Sequence, residues 1–260
     1  MSFRTRFFVI LLTAGFAGIL SLLLVDLSAL LAILPATAGT RMPFSPLLIK
    51  VLSLIEPTVF LSLAVFVGIT LAPKVGLRAP AFEAWARREN FVMALKPQIV
   101  PGFVGGLMGG VAIILSWVVA KPFLPPEFVA RAEQLNRFLP IPTRLLYGGV
   151  IEELLVRWGV LTLLAWAMWR AFQKGRGNPR SVYFVSAIVI SSVLFGVGHL
   201  PLAVALGSAM TVPIVLYVVA ANSVFGLIAG YLYWRKGLEA AIMAHMVTHV
   251  GIVGAMYFER

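Results

Sequence analysis

The sequence predicts an all-α protein, a polytopic transmembrane bundle of seven to eight helices. Three observations carry that expectation. The chain is 60% hydrophobic and only 12% charged, against about 25% charged residues in average soluble domains. Apolar stretches of the roughly 20 residues needed to cross a bilayer recur from end to end. Most ionisable side chains fall between those stretches, and the exceptions carry the candidate chemistry.

The first stretch, about Phe7–Leu34, follows a charged start with Arg4 and Arg6. Its apolar part is too long for a signal-peptide core and no clear small-residue cleavage site follows, so a retained helix is expected. Further spans are expected near Pro46–Leu71, Val100–Ala120, Arg144–Trp169, Val182–Leu200, Met210–Trp234 and Leu238–Phe258. The apolar segment Leu200–Met210 would add a re-entrant piece or part of an eighth helix. Arg78–Phe91 and Pro125–Phe138 alternate apolar and charged residues at helical spacing, which predicts short interfacial helices. Gly105, Gly106, Gly109 and Gly110, and later Gly226 and Gly230, form small-xxx-small patterns that let helices approach closely inside the bundle. With no soluble appendage in the pattern, residues 1–260 are expected to form a single integral membrane domain.

A formal net charge of +11 would suit nucleic acid only if it lay as a basic stripe on a soluble module. Here the cations lie between apolar runs, where they set topology and meet lipid headgroups. The expected partners therefore include membrane lipids and no nucleic acid. Seven spans with a cytoplasmic N-terminus place 13 of the 21 Lys and Arg on the cytoplasmic side: Arg4, Arg6, Lys74, Arg78, Arg87, Arg88, Lys96, Arg170, Lys174, Arg176, Arg180, Arg235 and Lys236. The chain has no Cys, which removes disulfides and thiol nucleophiles.

Charge inside a membrane helix is costly and marks candidate function. The fourth stretch contains Glu152, Glu153 and Arg157. Glu153 and Arg157 are four apart and can pair on one helical face. Glu152 and Arg157 are five apart, about 140° around an α-helix, so Glu152 is expected to point elsewhere and serve as a base. All three His lie in apolar helices: His199 in the fifth stretch, His245 and His249 in the seventh. His245 and His249 are four apart and share a face. Such a pair suits metal ligation or donation to an oxyanion. Together these groups point to water activation and acyl hydrolysis. No Gly-x-Ser-x-Gly elbow and no HExxH motif occurs. Asp26, Lys50 and Glu56 are expected as structural or edge residues, Asn222 as a cross-bundle donor and Glu239 as a first-turn carboxylate.

Three motifs in one order carry a resemblance. They read Glu152-Glu153-Leu-Leu-Val-Arg157, Phe195-Gly-Val-Gly-His199 and His245-Met-Val-Thr-His249. They resemble the EExxxR, FxxxH and HxxxN or HxxxD motifs of the CPBP intramembrane proteases, which include CAAX prenyl endopeptidases and bacteriocin-processing Abi proteins. The resemblance spans residues 146–251, the expected catalytic core. It implies a CAAX prenyl endopeptidase-like fold and an intramembrane metallo- or glutamate-dependent endopeptidase. Glu152 would be the base, His199 would help activate water, Glu153 and Arg157 would support, and His245 and His249 would stabilise the oxyanion. The resemblance leaves a metal-independent mechanism open beside one with Zn2+ held by Glu152, His199, His245 and His249.

His249 departs from the family's Asn or Asp. Imidazole can donate as Asn does, and it can also ligate a metal. The implied substrate is a membrane-associated peptide or protein tail, lipidated or not, and the implied location is a bacterial-type cell (inner) membrane. Two readings compete: a catalytically silent scaffold of the same fold, and a proton-coupled transporter, which the lack of an inverted repeat disfavours.

Overall fold

A computed structural model describes residues 1–33, 44–206 and 210–258. The regular structure of the described residues is all helical, with no strand. In order they form α1 (Phe3–Leu20), α2 (Leu27–Ile33), α3 (Pro46–Leu52), α4 (Ile55–Val75), α5 (Pro80–Arg87), α6 (Phe91–Ala120) and α7 (Pro126–Phe138). One continuous helix then covers residues 141–173. It begins as α8 (Ile141–Thr143), widens to π-helical winding in π1 (Arg144–Glu152) and π2 (Leu154–Leu161), and ends as α9 (Thr162–Gln173). The chain closes with α10 (Ser181–Gly198), α11 (Leu200–Ala205), α12 (Val212–Arg235) and α13 (Leu238–Phe258).

Six helical stretches among the described residues are long and apolar enough to cross a membrane: Phe3–Leu24, Pro46–Val75, Phe91–Phe123, Ser181–Ala205, Val212–Arg235 and Leu238–Met256. The expected seven to eight is therefore not matched by apolarity and length alone. The remaining stretch, residues 141–173, runs the full depth of the bundle. At its start Thr143 Oγ1 donates to Ser21 O beside the C-terminal end of α1 (2.8 Å). Near its finish Trp166 lies under Lys74 at the C-terminal end of α4 (5.9 Å).

Several expected boundaries move for local reasons. The first span stops at a 3₁₀ turn, Ser21–Leu24, not near Leu34, which lies outside the described residues. Asp26 is the cause: its Oδ1 accepts from the Ser28 and Ala29 amides and caps α2, a competing start signal. The second span is divided into α3 and α4, and Lys50 Nζ donates to Leu23 O (3.0 Å). The third begins at Phe91, where Asn90 Oδ1 accepts from Met93 N. In the fifth, α10 ends at His199 and Pro201 opens α11, while residues 207–209 lie outside the description.

Both expected interfacial helices exist, and α5 is docked rather than loosely laid. It packs on α1 and α6 and buries Ala81, Glu83, Ala84 and Ala86. Glu83 accepts from Ala79 N and Arg78, while Glu239 of α13 accepts from Phe82 N (2.8 Å). Glu239 thus serves the start of α5. Gly237 adopts φ +124, and a side chain there would strike Pro80.

Small residues bring helices together within the bundle. Gly102, Gly106 and Gly109 let α6 meet α13 and α12, and Thr248 Oγ1 donates to Gly106 O (3.0 Å). Gly196, Gly226 and Gly230 do the same between α10 and α12. Asn222 does not cross the bundle: its Nδ2 donates to Val218 O of its own helix. The outward faces of α4, α6, α10 and α12 expose a belt of Val, Leu, Ile, Phe and Met, as lipid contact requires.

Candidate active site

The site lies where π1 and π2 meet α13, α10 and α12. Its geometry depends on the π winding. In that winding the backbone bonds i→i+5, so residues five apart are close to one turn apart. Glu152 and Arg157, expected on different faces, are drawn toward one side. Thr162 Oγ1 reaches five residues back to Arg157 O (3.2 Å) and ties off the wide turn, while also sharing a 2.8 Å hydrogen bond with Tyr233.

The His245 imidazole stands between the two carboxylates. Its Nδ1 is 2.8 Å from Glu153 Oε1 and its Nε2 is 3.8 Å from Glu152 Oε2. An ionised carboxylate can only accept, so Nδ1 carries the proton and Nε2 faces Glu152. The two carboxylates differ sharply in environment. The Glu153 side chain is fully buried, whereas that of Glu152 is 23% exposed. Glu152 accepts no hydrogen bond, so its oxygens are free for an incoming proton.

Arg157 Nε lies 3.2 Å from Glu153 Oε2, both side chains being buried. The pairing is electrostatic more than directional, because Glu153 Oε2 gains no aligned hydrogen bond from it. Arg157 Nη2 donates to Gly226 O (3.2 Å), and Nη1 has no partner. Phe195 and Phe225 lie 4.8 and 5.7 Å from the guanidinium carbon. Their faces supply part of what hydration would.

His245 and His249 do share a face: their rings stack at 4.9 Å and 12°. His249 Nε2 abuts Gly148, where an added Cβ would come within 2.4 Å of it. Its Nδ1 is buried without a partner, a polar atom left available to the site. His199 joins less directly. Its Nδ1 donates to Phe195 O (2.8 Å), which leaves Nε2 as the outward acceptor, and its ring meets the edge of Phe195 at 4.7 Å. It makes no hydrogen bond or ion pair with the carboxylates or with the other imidazoles.

The structure therefore brings Glu152, Glu153, Arg157, His245 and His249 into one contiguous cluster and holds His199 at its edge through Phe195. Arg144, at the start of π1, is occupied elsewhere: it donates to Leu139 O and to the Asn136 side chain and carbonyl at the end of α7. Asp26, Lys50 and Glu56 take no part in the cluster. Sequence reasoning assigned no role to Phe195, Phe225 or Gly148. Gly148-Gly149, followed by Val150 and Ile151 ahead of the carboxylates, was the signal for a close helix approach.

The four residues expected as a Zn2+ set are not drawn together as a metal-holding group in this arrangement. Among the described residues no three His, Asp or Glu side chains converge as a metal-holding group. The His245 Nδ1 bond to Glu153 leaves Nε2 as its open nitrogen, while His199 stands at the edge of the cluster beside Phe195.

Residues 134–251 match the family model for type II CAAX prenyl endopeptidase Rce1-like proteins. The matched segment holds all three motifs. No curated protein and no solved structure matches the chain.

Proposed function

We propose, starting from the family of the motif segment, that the chain is an intramembrane endopeptidase that hydrolyses membrane-associated peptides with a water activated by Glu152. One observation carries this reading: a partly accessible, uncommitted carboxylate sits beside an imidazole fixed by a second, wholly buried carboxylate and its arginine. Two adjacent carboxylates in unlike environments can take unlike roles.

In the proposed reaction Glu152 accepts a proton from water as the water oxygen bonds to the peptide carbonyl carbon. The carbonyl electron pair moves to oxygen. His249, with an unpartnered buried nitrogen, donates to that oxyanion. Glu152 then returns the proton to the departing amine nitrogen as the C–N bond breaks. Glu153, held by Arg157, orients His245, whose Nε2 faces Glu152. His199 Nε2, left as an acceptor by the Nδ1 bond to Phe195 O, is proposed to help orient the water from the edge of the cluster, without taking a proton.

Residues 141–173 are proposed as a seventh crossing, which the contacts at both ends of that helix support. The basic end of the bundle then faces the cytoplasm, with the N-terminus. His199, at the C-terminal end of α10, lies toward the opposite end.

The test uses the full chain reconstituted in lipid vesicles with fluorogenic peptides, lipidated and unlipidated. Cleavage by wild type and at least 100-fold loss in Glu152→Gln is the expected result. Equal cleavage by the two would refute the assignment. A folded wild type that cleaves none of the peptides would favour the silent scaffold.

A further inference from the structure

Phe225 of α12, outside the motifs, is 1% exposed and lies against two side chains of the site. Its ring lies 4.4 Å from the His245 imidazole at 49°, and 5.7 Å from the Arg157 guanidinium carbon. It also meets Phe195 at 6.4 Å, and Phe195 in turn edges His199 and His245. From behind, α6 supports it: at Gly109 an added Cβ would stand 2.8 Å from Phe225 Cδ2. The next residue, Gly226, accepts from Arg157 Nη2. One turn of α12 therefore gives Arg157 both an acceptor and an aromatic face.

We infer that Phe225 is a positioning residue of the site, fixing the plane of the His245 imidazole and half-enclosing the Arg157 guanidinium. The inference rests on the hydrolytic reading for its effect on rate, but its effect on His245 is independent of that reading. The physical basis is the balance around Arg157. Its charge is buried, one amino group has no acceptor, and its contact with Glu153 lacks alignment. The electron-rich ring faces hold the guanidinium where it faces Glu153. His245 is bonded through Nδ1 alone, so its ring could swivel about that bond. The tilted Phe225 ring, 4.4 Å away, limits that freedom together with the stacked His249 ring and keeps Nε2 turned to Glu152. Leucine at 225 keeps apolar bulk but supplies no ring face. Tyrosine keeps the face.

The test compares Phe225→Leu and Phe225→Tyr with wild type in two readouts on the reconstituted full chain. The first is the split of kcat and KM on a cleaved peptide. Phe225→Leu is expected to lower kcat at least tenfold with KM within about twofold, while Phe225→Tyr stays near wild type. The second is the 15N imidazole spectrum of histidine-labelled protein, simple because the chain has three His. The His245 signal, assigned with His245→Gln, is expected to shift or broaden in Phe225→Leu, with the His199 signal unmoved. An unchanged His245 signal in Phe225→Leu overturns the inference. So does equal loss in Phe225→Tyr, which signals packing alone. If Glu152→Gln cleaves as wild type does, the hydrolytic reading fails and the spectrum alone decides the role of Phe225.

Discussion

His245 and Glu153 are joined by a 2.8 Å hydrogen bond across 92 residues of sequence, in the dry interior of the bundle. That bond couples the helix carrying the paired carboxylates to the helix carrying the paired imidazoles. Arg157 neutralises the carboxylate from the other side. The arrangement leaves one of two neighbouring glutamates buried and paired and the other partly exposed, and the division of roles proposed for them can be tested.

Substituting the two glutamates should have different consequences. Glu152→Gln changes a side chain that is 23% exposed and accepts no hydrogen bond, so thermal unfolding in detergent should stay near wild type while cleavage is lost. Glu153→Gln leaves Arg157 buried without its counter-charge, at a cost of about 3–5 kcal/mol. A marked fall in Tm for Glu153→Gln alone is expected. Equal Tm values for the two variants would contradict the division.

Arg157→Lys should not be conservative. Lysine keeps the charge but lacks the planar group that lies against Phe195 and Phe225 and reaches Gly226 O. A stability loss of about 1–3 kcal/mol is expected from the forfeited contacts, together with loss of cleavage. Unfolding midpoints indistinguishable from wild type would show the aromatic cradle to be incidental.

Gly148→Ala should damage the site through His249. The added methyl would stand 2.4 Å from His249 Nε2, and overpacking of this kind costs about 1–3 kcal/mol. Combining it with His249→Ala removes the obstructing ring, so much of the lost stability should return. Additive losses in the double variant would mean that the two residues do not meet.

Gly106→Ala and Gly110→Ala form a paired test of the α6–α13 contact. At Gly106 a Cβ would stand 2.4 Å from Val247 Cβ, whereas at Gly110 the nearest atom is 3.7 Å away. Gly106→Ala should lower Tm and Gly110→Ala should leave it nearly unchanged. The opposite order would refute the helix register.

Chelation supplies the last test. Because no three potential ligands converge among the described residues, treatment with a strong zinc chelator should leave peptide cleavage intact. Loss of activity on chelation, restored by added zinc, would require His199 and His245 to move together in the working enzyme.

Much of this protein was legible in its sequence. The low charge and recurring apolar runs determine a helical membrane bundle, because unpaired backbone groups are excluded from lipid. The i, i+4 spacings of Glu153 with Arg157 and of His245 with His249 determine which side chains share a face, because those relations are local. The glycine stripes determine where helices can approach closely.

Other features depend on the tertiary structure. The π winding around Glu152 placed residues five apart close to one turn apart, and a period read from sequence assumes α geometry. Asp26 ended the first span early because its side chain competes for local amides. Asn222 bonded to its own helix and Glu239 to a neighbouring one, a choice made by which groups packing brings near. The difference between Glu152 and Glu153 is also tertiary: two identical side chains acquire different burial and partners only when α10, α12 and α13 close around one of them.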